Sequence, residues 1–300
     1  YFAPMVGAKI VFPGPKLDGE SLAELINNEG VTEAWGVPTV WLGLLGHMRK
    51  TEQKFTSLKR VLIGGSAAPR AMMREFQEKY GVEGLQGWGM TEMSPIGTVS
   101  MIRPKDADLP LDRQFDIKAK QGRAVFGVEM KIVNDDGQAL PRDGKSFGEL
   151  LVRGPAIISG YYENPEASAK AFDSEGWFRT GDVSKIDPEG YMEIVDRTKD
   201  VIKSGGEWIS SIDLENEAVG HPEIAEAAVI AVHHPKWDER PLLVVVREPD
   251  SQLDKQGVID YLSQRVAKWW LPDDVVFVDE LPHGATGKLQ KAKLREQFKD

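Results

Sequence analysis

The spacing of the apolar residues changes twice along this chain, and these changes limit the folds open to it. Up to about residue 96, short apolar runs alternate with stretches of helical spacing, as in RVLIGG followed by RAMMREFQEKYG. Apolar runs bounded by Gly or Pro indicate buried strands, and apolar residues three or four positions apart indicate helices. We therefore predict α/β layers for residues 1–96, with GAKIVFP (7–13) as a buried strand.

The two later regions have other patterns. Residues 97–195 contain short strands separated by Asp-Gly turns, which predict a small β-barrel or sandwich. From Asp196 onward the sequence predicts a hairpin (DVIKSGGEWIS), a helix, two strands, a helix over QGVIDYLSQRVAKWW and a last strand. These patterns predict a large domain, residues 1–195, followed by a small α+β domain, residues 196–300.

Composition narrows the classes of function. The net charge of −10 argues against nucleic acid as the main partner, because phosphate neutralisation requires a basic surface. The chain has no cysteine, which excludes disulfides and thiolate metal sites and suits a reducing cytoplasm, our predicted location. No apolar run reaches the roughly 18–20 residues needed to span a bilayer, so we predict no transmembrane segment. The sequence opens without Met inside an apolar run, and we expect a fragment whose N-terminal part is absent.

Two glycine-rich segments could bind a phosphorylated ligand. GGSAAP (64–69) follows a predicted strand and precedes a helix, where glycines allow close backbone approach and the helix N-terminus favours negative charge. In GWGMTE (87–92), Trp88 could stack on a base, Thr91 could bond a phosphate oxygen and Glu92 could bind Mg²⁺. Taken alone, a tight turn, a buried Trp and a solvated Glu are the simpler interpretations of these segments.

Two later segments are also candidates. WFRTGD (177–182) ends in a carboxylate, Asp182, that could accept both hydroxyls of a ribose. Near the C-terminus, Lys288 follows a glycine-flanked turn, and the three cations after it are predicted as the solvent-exposed face of a terminal helix: Lys291, Lys293 and Arg295. An ordinary Asp turn and a solvated lysine are the simpler interpretations of each segment alone. No histidine cluster has metal-site spacing, and no G-x-S-x-G sequence predicts a hydrolase.

The order of these motifs is specific, although each one alone is weak. GGSAAP, GWGMTE, GELLVRGP, WFRTGD, DRTKDVIKSGGEWISS and PHGATGK follow one another as in the adenylate-forming family of acyl-CoA synthetases, adenylation domains and luciferases. The chain resembles this family over essentially all 300 residues, and it is most similar to ligases of fatty acids or of 3-methylmercaptopropionate. The resemblance implies an α/β fold: the remainder of a large N-terminal domain with α/β layers and a small β-barrel subdomain, then a small mobile α+β domain.

The resemblance also implies roles for individual residues. Trp88 would lie by the adenine, Thr91 by the α-phosphate, and Asp182 would bind the ribose hydroxyls. Glu92 would hold Mg²⁺, and Arg197 would add a cation near the ribose or phosphate. The other implied positions are Gly65, Ser66, Ala67, Gly89 and Met90 for the nucleotide, Gly205, Gly206, Glu207 and Trp208 for CoA, Trp237 or Glu239 near the CoA entrance, Asp196 for the hinge and Lys288 for adenylation.

The implied activity joins a carboxylic acid to CoA at the expense of ATP. The acid attacks the α-phosphate to give acyl-adenylate and pyrophosphate, while Lys288 and Mg²⁺ offset the developing charge. The small domain then turns about Asp196, withdraws Lys288 and presents Gly205 and Gly206 to the narrow pantetheine arm of CoA. The partners implied are therefore small molecules, and a homodimer is compatible with the family.

One departure from the family pattern concerns the activity of this fragment. The family's Ser/Thr/Gly-rich phosphate loop has no equivalent in this sequence, so we expect this fragment alone to be inactive or nearly so. WGVPTVWLGLLG (35–46) is predicted to line an apolar acyl pocket. Besides a CoA ligase, the motifs also fit an adenylation domain that loads a carrier protein, or a non-catalytic nucleotide-binding fragment.

Overall fold

The computed structural model describes residues 2–66, 68–283 and 289–298. The first part of the chain forms a five-stranded sheet with helices packed against it. Strands β1, β2 and β3 are parallel, and β4 and β5 join antiparallel to complete the order β1-β2-β3-β4-β5. The elements of this part are α1 (Phe2–Met5), α2 (Gly19–Asn28), β1 (Glu33–Gly36), α3 (Pro38–Thr51), β2 (Arg60–Ile63), α4 (Arg70–Tyr80), β3 (Glu83–Gly89), β4 (Ile96–Val99), α5 (Leu111–Lys118) and β5 (Arg123–Ala124).

Local chemistry sets the helix ends in this part. The Asp18 carboxylate accepts a hydrogen bond from the Ser21 N–H and caps α2. Gly81 ends α4 in the left-handed conformation, where a side chain would be strained. The apolar faces of α2, α3 and α4 then meet over the sheet in a core that includes Leu44, Met48 and Phe76. Burying one such side chain contributes about 1.5–3 kcal/mol.

The middle part of the chain is built on a four-stranded antiparallel sheet of order β6-β7-β8-β9. Its elements are β6 (Glu129–Val133), β7 (Phe147–Arg153), α6 (Pro165–Ala171), β8 (Phe178–Ile186) and β9 (Met192–Arg197). Its core contains Met130, Leu150 and Phe178, and Trp88 from the end of β3 belongs to the same cluster. The two sheets therefore share one hydrophobic core at the end of β3.

The C-terminal part is a mixed sheet covered by helices. The order is β11-β10-β13-β12, and β14 pairs parallel with β13. The elements are β10 (Ile202–Ser204), β11 (Glu207–Ile209), α7 (Ser211–Val219), β12 (Ile224–His234), β13 (Asp238–Arg247), α8 (Lys255–Ser263), β14 (Asp274–Phe277) and α9 (Lys291–Gln297). The predicted succession of α/β layers, a β-rich part and an α+β unit is confirmed.

Three details of the sequence prediction are wrong. Residues 7–13 form no strand, and Phe12 is 82% exposed, because no neighbouring strand in the described chain pairs with this apolar run. Helix α8 ends at Ser263 instead of continuing to the Trp pair, which lies in a short 3₁₀ turn, Lys268–Trp270. The side chain of Lys291 is only 10% exposed, because it bonds to α7 instead of pointing into solvent.

Candidate active site

The first sheet brings two of the glycine-rich motifs to the same edge. Because β1, β2 and β3 are parallel, their carboxyl ends lie together. Residues 64–69 follow β2, and residues 87–92 include the end of β3 and the short 3₁₀ turn Thr91–Met93. In open α/β sheets, ligands bind in the crevice outside the carboxyl ends of the strands. This edge is therefore the candidate site.

The loop after β2 is fixed by a residue that the sequence analysis missed. Gln86 is buried, with 1% of the residue exposed. Its Oε1 atom accepts a hydrogen bond from the Ala68 N–H at 2.9 Å. Gln86 itself donates its N–H to Ser100 Oγ at 2.7 Å. This anchor leaves Gly65 and Ser66 exposed at the sheet edge, where a ligand can reach them. The signal was a polar residue inside the buried run VEGLQGWG.

Trp88, Asp182 and Arg197, which the sequence analysis assigned to the nucleotide, meet at one carboxylate. The Trp88 indole N–H donates to Asp182 Oδ2 at 2.9 Å, and the Arg197 guanidinium forms an ion pair with Oδ1. Asp182 and Arg197 are cross-strand partners on β8 and β9. The carboxylate is only 2% exposed, while the Arg197 side chain is 50% exposed. Three distant segments thus converge on one buried anion.

The two residues assigned to the phosphate and Mg²⁺ lie just beyond Trp88. Thr91 is exposed, and the Glu92 carboxylate accepts a hydrogen bond from the Tyr161 hydroxyl at 3.0 Å. The Glu92 backbone carbonyl also accepts from the Ile158 N–H at 2.9 Å. Burial, together with the charge on Glu92, raises the pKa of Tyr161, so the phenol stays protonated and donating. Tyr161 was missed in the sequence, although the loop containing it holds two adjacent tyrosines.

The backbone between these groups is tightly packed. A Cβ atom on Gly89 would lie 1.9 Å from the Pro95 carbonyl oxygen, so no larger residue fits without moving the backbone. Met90, next to it, packs against the core shared by the two sheets. Gly89 and Met90 therefore fix the path of the chain from Trp88 to Glu92.

The donor set around Glu92 fits a magnesium ion held jointly with a nucleotide. Within the described ranges, no three His, Asp or Glu side chains are close enough to hold a metal ion by themselves. Mg²⁺ is usually bound by one or two carboxylates together with substrate phosphates and waters. A single oriented carboxylate beside the exposed Thr91 matches that pattern.

The predicted hinge residue is deeply buried at the junction with α7. Asp196 is 1% exposed, and its Oδ2 atom accepts from the Ser211 N–H at 2.6 Å, at the start of α7. Ser210 caps the same helix and donates to the Val195 carbonyl at 2.8 Å. Burial raises the pKa of the Asp196 carboxyl, and the positive charge of Lys291 opposes this shift. The end of β9 is thus bonded directly to the C-terminal unit.

The residues predicted to bind CoA lie on the β10–β11 hairpin, apart from those predicted to bind the nucleotide. The Gly205 N–H donates to the Trp237 carbonyl at 2.8 Å, and Gly205 and Gly206 have φ values of 60° and 88°. The Lys203 N–H donates to Glu239 Oε2 at 2.8 Å, so Trp237 and Glu239 do lie beside this hairpin.

The hairpin also contacts the middle sheet. The Trp208 indole N–H donates to Asp135 Oδ2 at 3.2 Å, and Lys203 forms an ion pair with Asp135, in the turn after β6. Glu207 is exposed. Among the described residues, no hydrogen bond or ion pair joins residues 205–208 to Trp88, Thr91 or Glu92.

Two of the predicted site residues, Ala67 and Lys288, lie outside the described residues. In the part of the chain that the structure covers, no helix has both the length and the apolar character needed to cross a membrane.

The segment assigned to the acyl pocket, residues 35–46, lies partly at the surface and partly in the core. Trp35 and Val37 are 52% and 43% exposed, whereas Trp41 is 3% exposed and packs edge-on against Phe76.

Comparison with known proteins identifies relatives over the whole chain. The chain is 52% identical over 300 residues to the 3-methylmercaptopropionyl-CoA ligase of Ruegeria lacuscaerulensis, covering 100% of this chain and 55% of that protein. It is 51% identical to the medium-chain-fatty-acid–CoA ligase of Ectopseudomonas oleovorans, covering 100% of this chain and 54% of that protein. The chain thus spans about half the length of the curated relatives it matches.

Solved structures of other proteins have the same fold as this chain. ATP-bound MatB from Rhodopseudomonas palustris superimposes with a TM-score of 0.77 at 32% identity, covering 95% of this chain and 54% of that one. The o-succinylbenzoate CoA synthetase MenE from Bacillus subtilis, in complex with its acyl-adenylate intermediate, gives 0.78 at 30% identity, covering 99% and 57%. The resemblance inferred from the motif order is therefore confirmed by fold as well as by sequence.

Family profiles match both parts of the chain. Residues 1–162 match the AMP-binding enzyme family, and residues 213–288 match the AMP-binding enzyme C-terminal domain. The first match alone covers more than half of the 300 residues. With both profile matches in this order along it, this chain belongs to the AMP-binding enzyme family.

Proposed function

We propose that the complete protein containing this chain is an ATP-dependent acid–thiol ligase. It joins a carboxylic acid to CoA through an acyl-adenylate and releases AMP and pyrophosphate. The observation that carries the proposal is the convergence of Trp88, Asp182 and Arg197 at the sheet edge that also bears Glu92. A buried carboxylate there suits a ribose, and the exposed Thr91 beyond it suits a phosphate.

In the first step, an oxygen of the acid forms a bond to the α-phosphorus of ATP, and the bond to pyrophosphate breaks. The Thr91 hydroxyl donates a hydrogen bond to an α-phosphate oxygen, and the ammonium group of Lys288 stabilises the negative charge on the transferring group. When bound, Mg²⁺ would neutralise the phosphate oxygens, and Glu92 is the residue that would hold it. Asp182 keeps the nucleotide in place by binding the ribose hydroxyls.

In the second step, the CoA thiol attacks the acyl carbon, the thiol proton is lost, and AMP leaves. The β10–β11 hairpin, with Gly205 and Gly206 at its turn, borders the path of the pantetheine arm. Among the described residues, residues 205–208 form no hydrogen bond or ion pair with Trp88, Thr91 or Glu92. This separation supports a turn of the small domain about Asp196 between the two steps.

The substrate class follows from the relatives and from the apolar surface beside the site. The relatives named above act on fatty acids and on 3-methylmercaptopropionate. Trp35 and Val37 present apolar surface at the carboxyl end of β1. We propose an acid with an apolar tail, either a fatty acid or a methylthio-alkanoate, and a cytoplasmic location, which suits a chain without cysteine.

A panel of acids assayed on the complete protein tests the proposal. Acid-dependent exchange of labelled pyrophosphate into ATP reports the first step, and CoA-dependent thioester release reports the second. We expect both with at least one fatty or methylthio acid. Exchange without transfer to free CoA would instead support an adenylation domain that loads a carrier protein. AMP binding without exchange for any acid would support a non-catalytic nucleotide-binding protein.

A further inference from the structure

The carboxylate of Asp182 has two donors that differ in mobility. The Trp88 ring is 7% exposed and belongs to the core shared by the two sheets. A Cβ atom on Gly97 would lie 2.6 Å from Cζ3 of Trp88, so the indole ring packs directly against the backbone at Gly97. The side chain of Arg197, by contrast, is half exposed. Trp88 is therefore the fixed donor, and Arg197 is the one that can move.

The number of remaining acceptor positions matches a ribose. An ionised carboxylate can accept about four hydrogen bonds, two on each oxygen. Trp88 uses one position on Oδ2 and Arg197 uses one on Oδ1. Within the described ranges no other side chain bonds to this carboxylate, so one position remains on each oxygen. The vicinal 2′- and 3′-hydroxyls of a ribose supply two donors. The carboxylate can therefore bind the diol only if its plane is held at the correct angle.

The backbone restrains Asp182 along the chain but leaves that angle to Trp88. The Asp182 N–H donates to Thr180 Oγ1 at 3.1 Å, and the Gly181 carbonyl accepts from the Thr198 N–H at 3.0 Å. These bonds fix the position of the Cα atom. Rotation of the carboxyl group about its own bond is opposed by the buried indole N–H and by the mobile Arg197.

We propose that Trp88 is a positioning residue for ribose recognition. Its indole N–H sets the plane of the Asp182 carboxylate, so that the two open acceptor positions face the 2′- and 3′-hydroxyls of the nucleotide. This inference rests on the proposed function, in which Asp182 binds the ribose of ATP. It assigns Trp88 a role in recognising the sugar through its N–H group, in addition to any contact with the adenine.

Paired ligands separate this role from stacking. Binding of AMP and of 2′,3′-dideoxy-AMP to the complete protein containing this chain is measured by calorimetry for the wild type and for Trp88→Phe, which keeps a buried ring and loses the N–H. Hydrogen bonds to charged groups are the stronger kind, so we expect AMP to bind about tenfold more weakly to the variant. Binding of the dideoxy nucleotide should stay within about twofold, since it has no hydroxyl for the carboxylate to accept.

A matched control is Trp177→Phe. Trp177, just before β8, is also a buried tryptophan, 9% exposed, and it belongs to a different cluster from Trp88. This variant should bind both nucleotides as the wild type does. Thermal unfolding of both variants shows whether each one is folded.

Each other outcome contradicts the inference in a distinct way. Equal weakening of both nucleotides in Trp88→Phe would show that the ring acts by stacking on the base. Unchanged AMP binding would show that the N–H is not needed. If the wild type binds AMP and the dideoxy nucleotide equally well, Asp182 does not bind the ribose, and if it binds neither, the proposed nucleotide function itself fails.

A second measurement covers the case in which the Phe variant does not fold. The indole N–H resonance of Trp88 in ¹⁵N-tryptophan-labelled wild-type protein reports its hydrogen bond directly. We expect a larger shift with AMP than with the dideoxy nucleotide, because only AMP adds two hydroxyl donors to the carboxylate that accepts from this N–H. Equal shifts with both nucleotides, or none with either although AMP binds, would overturn the role assigned to the N–H.

Discussion

At the scale of single residues, the candidate site depends on side chains held by buried partners. Gln86 fixes the loop after β2, Trp88 fixes Asp182, and Tyr161 fixes Glu92. In each pair the partner comes from another strand or loop and does not itself have to touch the ligand. Such partners restrict the orientation of the contacting group, and their loss is expected to change binding more than stability.

Tyr161→Phe tests the orientation of the proposed magnesium ligand. The variant keeps the ring but leaves Glu92 without its 3.0 Å hydrogen bond. Because partners of metal ligands typically contribute about 10–100-fold to metal affinity, we expect Mn²⁺ to bind that much more weakly in the presence of ATP. Electron paramagnetic resonance titration of free Mn²⁺ measures this. Tyr162→Phe, at the adjacent residue that is 90% exposed, is the control and should bind Mn²⁺ normally.

Asp196 gives a pH dependence of stability. Its pKa is raised by burial in the folded state, so its contribution to stability is complete below the unfolded pKa of about 4 and is lost as pH rises through the folded pKa. Asn at this position does not titrate. The wild type therefore loses this contribution to stability as pH rises, and the variant does not. We expect the free energy of unfolding of Asp196→Asn minus that of the wild type to increase from about pH 4 to about pH 8.

Urea unfolding at a series of pH values measures this difference. The neighbouring carboxyls Asp213 and Glu215 also have pKa values raised by burial, and the charge of Asp196 adds to both shifts, so the difference between the two proteins reports Asp196 together with its coupling to these neighbours. The exposed Asp108 supplies the control, because Asp108→Asn should follow the wild type across the range. A constant difference between Asp196→Asn and wild type would contradict the assignment.

At the scale of elements, α9 is attached to α7 by a nearly buried ion pair. Lys291 Nζ lies 2.6 Å from Glu215 Oε1 and donates to Ser211 Oγ at 2.6 Å. The side chains of Lys291 and Glu215 are 10% and 15% exposed. Farther along α9, Arg295 pairs with Asp200 at 2.7 Å, close behind the predicted hinge. The last helix is thus bonded both to α7 and to the chain just after the hinge.

Lys291→Met tests this attachment. Removing one partner leaves the Glu215 carboxylate buried without its counterion, so we expect a loss of about 3–5 kcal/mol in the free energy of unfolding. The double variant Lys291→Met, Glu215→Leu removes both charges and should recover most of that loss. Chemical denaturation measures all of these proteins. Lys293→Met, at an exposed position of the same helix, should be neutral, and an equal loss there would contradict the argument.

At the scale of the whole molecule, the chain carries two groups of proposed site residues that are separate in this arrangement. The nucleotide group lies at the edge of the first sheet, and the hairpin with the CoA residues lies against Asp135 and Trp237. Among the described residues, no hydrogen bond or ion pair joins residues 205–208 to Trp88, Thr91 or Glu92. We therefore propose that the small domain moves between adenylation and thioester formation.

Lys288→Ala tests this separation of steps in the complete protein. Because Lys288 is proposed to act only on the phosphate, we expect adenylation to slow by roughly 10²–10³-fold. Thioester formation from supplied acyl-adenylate and CoA should be unchanged. Pyrophosphate exchange and thioester release measure the two steps. Lys293→Ala is the control, and an equal loss of both steps in Lys288→Ala would contradict the proposed movement.

The helices and strands could be predicted from local sequence patterns wherever the spacing of apolar residues was regular. Helix α4 with Gly81 at its end, the β10–β11 hairpin and the strands β12 and β13 all appeared in the sequence, because turn residues and period-two or helical spacing are local properties. The exposed run at residues 7–13 has the composition of a strand. A strand also requires a neighbour to pair with, and no local pattern supplies that information.

The sequence by itself determined the family and the identity of the candidate site residues, because the order of short motifs is written along the chain. Only the tertiary structure decided which of them meet: Trp88, Asp182 and Arg197 are joined at one buried carboxylate, while the β10–β11 hairpin is held elsewhere. It also decided that Lys291 is nearly buried and that Gln86 and Tyr161 support the site. The physical reason is that hydrogen bonds and burial depend on distances between segments far apart in the chain, and these distances are fixed only when the sheets pack.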